Sequence, residues 1–104
     1  MDISVNEINS GTHIKIFGSV KQNDINTLSA SFEEILTTSK NNVSIDLGFV
    51  AAMSSLGIGK LIYFNNELKS QNRTLTIIDI SKSLHSLFNS MNLNQVFGVK
   101  IKND

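Results

Sequence analysis

The stretch at residues 43–61, VSIDLGFVAAMSSLGIGKL, decides the reading of the chain. Val43-Ser44-Ile45-Asp46-Leu47 alternates apolar and polar, as a strand covered on one face does. Residues 48–53 lead out of it, and then the rhythm becomes helical: Leu56, Ile58, Leu61, Ile62, Asn65 and Leu68, as far as Lys69. Ser54 and Ser55 stand where that helix opens. A serine there accepts from a backbone N–H that has no intrahelical partner, so the pair by itself reads as capping chemistry. Gly57 and Gly59 ask for more. Each glycine in a helix costs about 1 kcal/mol relative to alanine. Two in the first turns imply that something approaches the backbone closely, the sheet beneath or a partner above. Gly59 is assigned to close packing between helix and sheet.

Outward from this segment the period keeps changing. Residues 3–8 alternate, Asn9-Ser10-Gly11 is turn chemistry, and residues 12–18 alternate again, which predicts a hairpin. Ile25, Leu28, Phe32, Ile35 and Leu36 then form one helical stripe, with Asn23 or Asp24 to cap it and an end near Thr38. Downstream, a polar turn at 70–73 precedes an apolar strand at 75–80. Leu84, Leu87, Phe88 and Met91 mark a short helix, residues 93–97 one more turn, and Val99-Lys100-Ile101 a short terminal strand. Strands alternating with helices after a hairpin give an α/β fold. The expected form is a mixed sheet of about four to five strands, with crossover helices packed mainly on one face.

Composition removes whole classes of function. The 104 residues make one domain, 1–104, with 40% hydrophobic residues for a core. Nine Lys and Arg balance nine Asp and Glu, which argues against nucleic-acid binding and a polybasic membrane anchor. No apolar run approaches the roughly 20 residues of a membrane span. Met1-Asp2-Ile3-Ser4 lacks the pattern of a signal peptide, so no membrane insertion and a cytoplasmic location are expected. Cysteine is absent, which excludes thiolate metal sites and thiol catalysis. The two histidines, His13 on a strand and His85 beside the third helical stripe, read as solvated side chains. No metal, no cofactor and no catalytic residue is expected.

The order and motifs resemble the STAS domain of bacterial anti-sigma factor antagonists. Members carry an aliphatic-Asp-Leu strand end, here Ile45-Asp46-Leu47, and a helix-opening Asp-Ser-Ser-Gly-Leu-Gly, here Ser54-Ser55-Leu56-Gly57-Ile58-Gly59. Residues 75–80 resemble the next strand, 81–88 the next helix, and Asn92-Leu93-Asn94-Gln95-Val96-Phe97 the family's Gly-Leu-Asp-x-aliphatic-Phe tail. Gly18 matches the glycine that often closes the second strand. The likeness runs in order over nearly the whole chain. Ser54 replaces the family Asp, Leu56 a small residue, and Asn92 a glycine whose left-handed conformation asparagine also tolerates.

That resemblance implies a regulatory binding protein in a partner-switching pathway. Ser55 matches the family's phosphoacceptor, with Ser54 as second choice. The unmodified form is expected to bind a serine kinase or anti-sigma factor with a histidine-kinase-like ATP fold, and a serine phosphatase to reset the switch. The expected contact surface is Val20, Lys21, Met53, Ser54, Ser55, Leu56 and Ile58, with Gly57 and Gly59 structural. The alternative keeps the fold without the modification: a constitutive STAS subunit of an ABC lipid-transport or signalling assembly. An acyl carrier is disfavoured by the neutral charge and strand content, and a histidine phosphocarrier by the positions of His13 and His85.

Overall fold

Seven unbroken pairs, from Asp2 with Phe17 to Ile8 with Gly11, join β1 (Asp2–Ile8) and β2 (Gly11–Phe17) as an antiparallel hairpin. The computed structural model describes residues 1–9 and 11–99. Gly11 is required in this hairpin. Its φ is +144°, and a Cβ would stand 2.5 Å from the Asn42 carbonyl oxygen. β2 then pairs in parallel with β3 (Val43–Phe49), β3 with β4 (Leu75–Ile80), and β4 with β5 (Gly98–Val99). The five-stranded sheet runs in the order β1-β2-β3-β4-β5. Of the expected terminal strand, Lys100 and Ile101 lie outside the described residues, as does Ser10 of the hairpin turn.

Parallel neighbours need crossovers, and α1 (Ile25–Thr38), α2 (Ser55–Ser70) and α3 (Lys82–Ser90) supply them. All three step across the sheet in one direction, so right-handed connections stack them on one face. The strands record this. Ile14, Ile16, Ile45, Leu47 and Ile77 are buried, whereas His13, Lys15, Ser44, Asp46 and Thr76 on the other face are only partly covered.

α1 buries Leu28, Phe32, Ile35 and Leu36, with Ile25 half-buried. Asp24 caps it differently from the expectation. Its carboxylate accepts from the Lys21 backbone N–H at 2.9 Å, closing the 3-10 turn Gln22–Asp24 rather than the helix end. α2 departs from its expected stripe at two positions. Leu56 is 52% exposed, while Phe64 is buried and stacks on Phe32 with ring centroids 4.1 Å apart. The helix presents Gly57, Ile58, Leu61, Phe64, Asn65 and Leu68 to the core, and Leu56 falls on the outer side of that arc. On α3, Leu84 and Phe88 are buried but Leu87 and Met91 are exposed. Asn92 adopts φ +58°, the left-handed conformation expected where α3 ends.

The two glycines of α2 have different surroundings. A Cβ on Gly57 would lie 2.9 Å from Met53 Cγ and 3.1 Å from Val20 Cγ1, so only glycine lets the helix settle onto those side chains. A Cβ on Gly59 would meet nothing within 4 Å. The expected packing at Gly59 is therefore corrected: two residues further on, the helix has turned about 200° and the position faces outward.

At the other end of the sheet a buried guanidinium ties three segments together. Arg73 donates through Nε to the Asn41 carbonyl (2.6 Å) and through Nη1 to Gln71 Oε1 (2.8 Å) and the Ile35 carbonyl (3.4 Å). It thereby serves a carbonyl near the end of α1, where a cation also complements the helix dipole. Burial lowers its pKa from the ordinary guanidinium value, and the charge of Glu7 opposes that shift.

Replacing Gly57 by Leu is expected to destabilise the fold by about 1–3 kcal/mol through overpacking. Gly59→Ala is expected to stabilise it by about 0.5–1 kcal/mol. Urea unfolding midpoints of the two variants should move in opposite directions. In the same assay Arg73→Ala is expected to cost roughly 2–4 kcal/mol, because buried carbonyls lose a charged donor; a loss below about 1 kcal/mol would show that they find other partners.

Candidate functional site

The start of α2 is held by backbone bonds from both sides. On one side the Val20 N–H donates to the Ala52 carbonyl at 3.0 Å and the Ser54 N–H to the Val20 carbonyl at 2.8 Å, a parallel bridge between Val20 and Met53. The Gly18 N–H reaches the Phe49 carbonyl at 3.0 Å. On the other side Ser81 Oγ donates to the Val50 carbonyl (2.6 Å) and Ser83 Oγ to the Ala51 carbonyl (2.8 Å). On the way from β3 to α2, residues 49–52 thus have their carbonyls anchored.

This loop delivers the two serines into unlike positions. Ser54 is the N-cap. Its backbone is extended, its Oγ accepts from the Gly57 N–H at 3.2 Å, and its carbonyl accepts from the Ile58 N–H at 3.0 Å. Ser55 is the first helical residue and is exposed. Among the described residues no hydrogen bond holds its hydroxyl. Free N–H groups and the positive end of the dipole lie at this terminus, a setting that favours an anion.

Of the expected partner surface, the structure exposes Lys21, Ser55 and Leu56, and partly Ser54. Val20, Met53 and Ile58 are corrected: they are 2%, 7% and 5% exposed and offer no side-chain surface. The bridge draws Val20 and Met53 under Gly57, where they form the floor of the site.

Sequence reasoning passed over an aromatic pair near the exits of β2 and β3. Phe17 and Phe49 stack with centroids 5.4 Å apart, and Phe49 is the most exposed large apolar side chain among the described residues, at 59%. Lys15 Nζ lies 5.1 and 5.2 Å from the two ring centroids and 4.0 Å from Asp46 Oδ2. Alternation carried the signal, since Phe17 and Phe49 are register partners on adjacent strands. Further along α2, the Glu67 carboxylate raises the pKa of the exposed Tyr63 phenol, with burial and Glu33 adding to the shift.

The described residues assemble no catalytic constellation. His13 Nδ1 meets Ser44 Oγ at 3.0 Å on the open sheet face, and His85 Nε2 meets the Asn94 amide at 3.4 Å. Neither histidine is hydrogen-bonded to a carboxylate among the described residues, and no group of three His, Cys, Asp or Glu there could hold a metal ion. A cavity of about 580 Å³, lined in part by Ile8, His13, Ser44, Thr76 and Ile78, opens near the amino-terminal ends of the parallel strands, away from Ser55. No helix among the described residues is long and apolar enough to cross a membrane.

No curated protein matches the chain by sequence. Among solved structures, a STAS-domain anti-sigma-factor antagonist from Planctomyces limnophilus superposes with a TM-score of 0.82 at 15% identity, over 99% of this chain and 92% of that one. A Thermotoga maritima protein described as an anti-sigma factor antagonist gives 0.81 at 10% identity, over 96% and 86%. The phosphorylated form of the Bacillus cell fate determinant SpoIIAA gives 0.74 at 13%, over 97% and 93%. At such identities the likeness is one of fold. The family model described as Mlab, STAS domain matches residues 3–101, a span that takes in both serines and all three helices; the chain belongs to the STAS domain family.

Proposed function

We propose that the chain is a phosphorylation-controlled binding protein of the anti-sigma factor antagonist type, with Ser55 as the acceptor. The observation that carries this reading is the division of labour between two adjacent serines. Ser54 spends its hydroxyl on the helix cap, whereas Ser55 presents a free, exposed hydroxyl at the first helical position. The pair of SpoIIAA structures described as unphosphorylated and phosphorylated supports it by analogy of fold.

In this reading the unmodified protein binds a serine kinase or anti-sigma factor through Lys21, Ser55 and Leu56. A phosphate at Ser55 adds a charge of about −1.5 to −2. The helix terminus tolerates it, so the protein keeps its fold. The partner does not. Confining such a charge beneath an interface without a counter-ion costs about 3–5 kcal/mol, and each 1.4 kcal/mol is about tenfold in affinity. Affinity falls by roughly two to three and a half orders of magnitude with no change of conformation. The chain has no catalytic activity of its own in this scheme; the kinase supplies the ATP site, a serine phosphatase reverses the reaction, and the exchange takes place in the cytoplasm.

The exposure of Leu56 and Phe49 favours a second reading, a constitutive STAS subunit of a lipid-transport or signalling assembly. An exposed bulky apolar side chain next to Ser55 suits a lasting interface. Mass spectrometry of the protein from its own host separates the two. The switch requires one phosphate, on Ser55 and absent from a Ser55→Ala copy; a bound partner with no phosphate under any growth condition establishes the constitutive subunit. Ser55→Asp is expected to weaken kinase binding at least tenfold in titration calorimetry, with the melting temperature nearly unchanged. Equal affinities would sink the switch.

A further inference from the structure

β1 is an edge of the sheet, and its outer rim lacks the bulge, proline and lysine that most often keep strand edges from pairing. Its ladder with β2 runs seven residues with no bulge. The sequence Asp2-Ile3-Ser4-Val5-Asn6-Glu7-Ile8 contains neither proline nor lysine, the usual gatekeepers. Its second carboxylate is turned inward: Glu7 accepts from Thr12 Oγ1 at 2.8 and 2.9 Å and from Asn41 Nδ2 at 3.2 Å, which holds the charge on the β2 side of the strand. Val5 and Ile8 remain 39% and 50% exposed.

We propose that β1 is a dimerisation edge, onto which a second copy of this chain adds its own β1 antiparallel about a two-fold axis at Val5. The strand can pair with itself over its whole length in that arrangement. Centring on Val5 is the one antiparallel register that uses all seven residues. It sets Val5 against the partner's Val5, Ser4 against the partner's Asn6, Ile3 against the partner's Glu7, and Asp2 against the partner's Ile8. No like charges face each other. The polar pair can exchange a hydrogen bond across the strands, and the valines meet with Cβ atoms about 4.5–5.5 Å apart. The outward N–H and C=O groups of each β1 gain partners. Because the contact is isologous, it consumes both edges and closes at two chains rather than growing into a fibre. α2 crosses from β3 to β4, so Ser55 stays clear of the joined edge and the dimer is independent of its phosphorylation.

The absence of cysteine makes the test direct. A Val5→Cys variant carries its only thiol at the axis, within disulfide reach of its counterpart. Mild oxidation should convert it almost wholly to a cross-linked dimer. Ile8→Cys, equally accessible on the same strand, stands six residues, about 20 Å, from its counterpart and should remain mostly single chains. In sedimentation equilibrium the unmodified protein should show a mass that rises with concentration to twice the chain mass. Val5→Lys, which sets two ammonium groups against each other, should return it to one chain. Equal cross-linking of the two cysteine variants, or a dimer that survives Val5→Lys, would overturn the proposal. So would a single-chain mass at every concentration, which would leave the edge to an extended segment of another protein.

Discussion

The bridge between Val20 and Met53 is the contact on which the site depends. It continues the parallel pairing of β2 with β3 past the ends of both strands, through two backbone bonds of 3.0 and 2.8 Å. A loop between a strand and a helix is ordinarily free to choose the angle at which the helix leaves. Here the chain is still hydrogen-bonded to a neighbour when it reaches Ser54. The bridge buries Val20 and Met53 side by side, and these two side chains leave room above them only for Gly57. The phase of the whole helix follows. With Gly57 and Ile58 inward, Ser55, Leu56 and Gly59 face outward, and the Ser55 hydroxyl stands at the surface as a consequence of the packing beneath Gly57.

Much of this architecture was legible in the residues. The change from a period of two to a period near 3.6 separates strands from helices along the chain, and Gly and Asn mark the turns. Motif order carried the family as well. What periodicity could not supply was phase. An apolar run such as Leu56, Ile58, Leu61 and Ile62 fits a helix rotated several ways, and only the contact beneath Gly57 selects the rotation that exposes Leu56 and buries Phe64. Val20, Met53 and Ile58 were misjudged for a related reason. Proximity in sequence to Ser55 is not proximity to solvent, and a backbone bridge between distant loops leaves no trace in composition. Phe17 and Phe49 were readable as strand residues, but their meeting depends on which strands are neighbours.

The anchoring on both flanks of the loop also explains how a covalent charge would act. A segment with free carbonyls could reorganise around a phosphate and hide it. Residues 49–52 have theirs engaged by Gly18, Val20, Ser81 and Ser83. On the proposed reading the site would present the same shape before and after modification, and electrostatics alone would distinguish the two states. A switch of this kind needs no stored strain and no second conformation.

Arg73 and its carbonyl partners lie at the amino-terminal ends of the parallel strands, and Ser55 lies beyond their carboxyl ends. The buried guanidinium and the proposed recognition site are accordingly separated along the strands. Genetic variation should sort along that axis. Substitutions around Arg73 lower the amount of folded protein in the cell and can be offset by raising expression or lowering temperature. On the proposed reading, replacing the exposed Ser55 or Leu56, unlike the buried Gly57, leaves abundance intact and changes only binding, so no increase in dose by itself restores the lost discrimination.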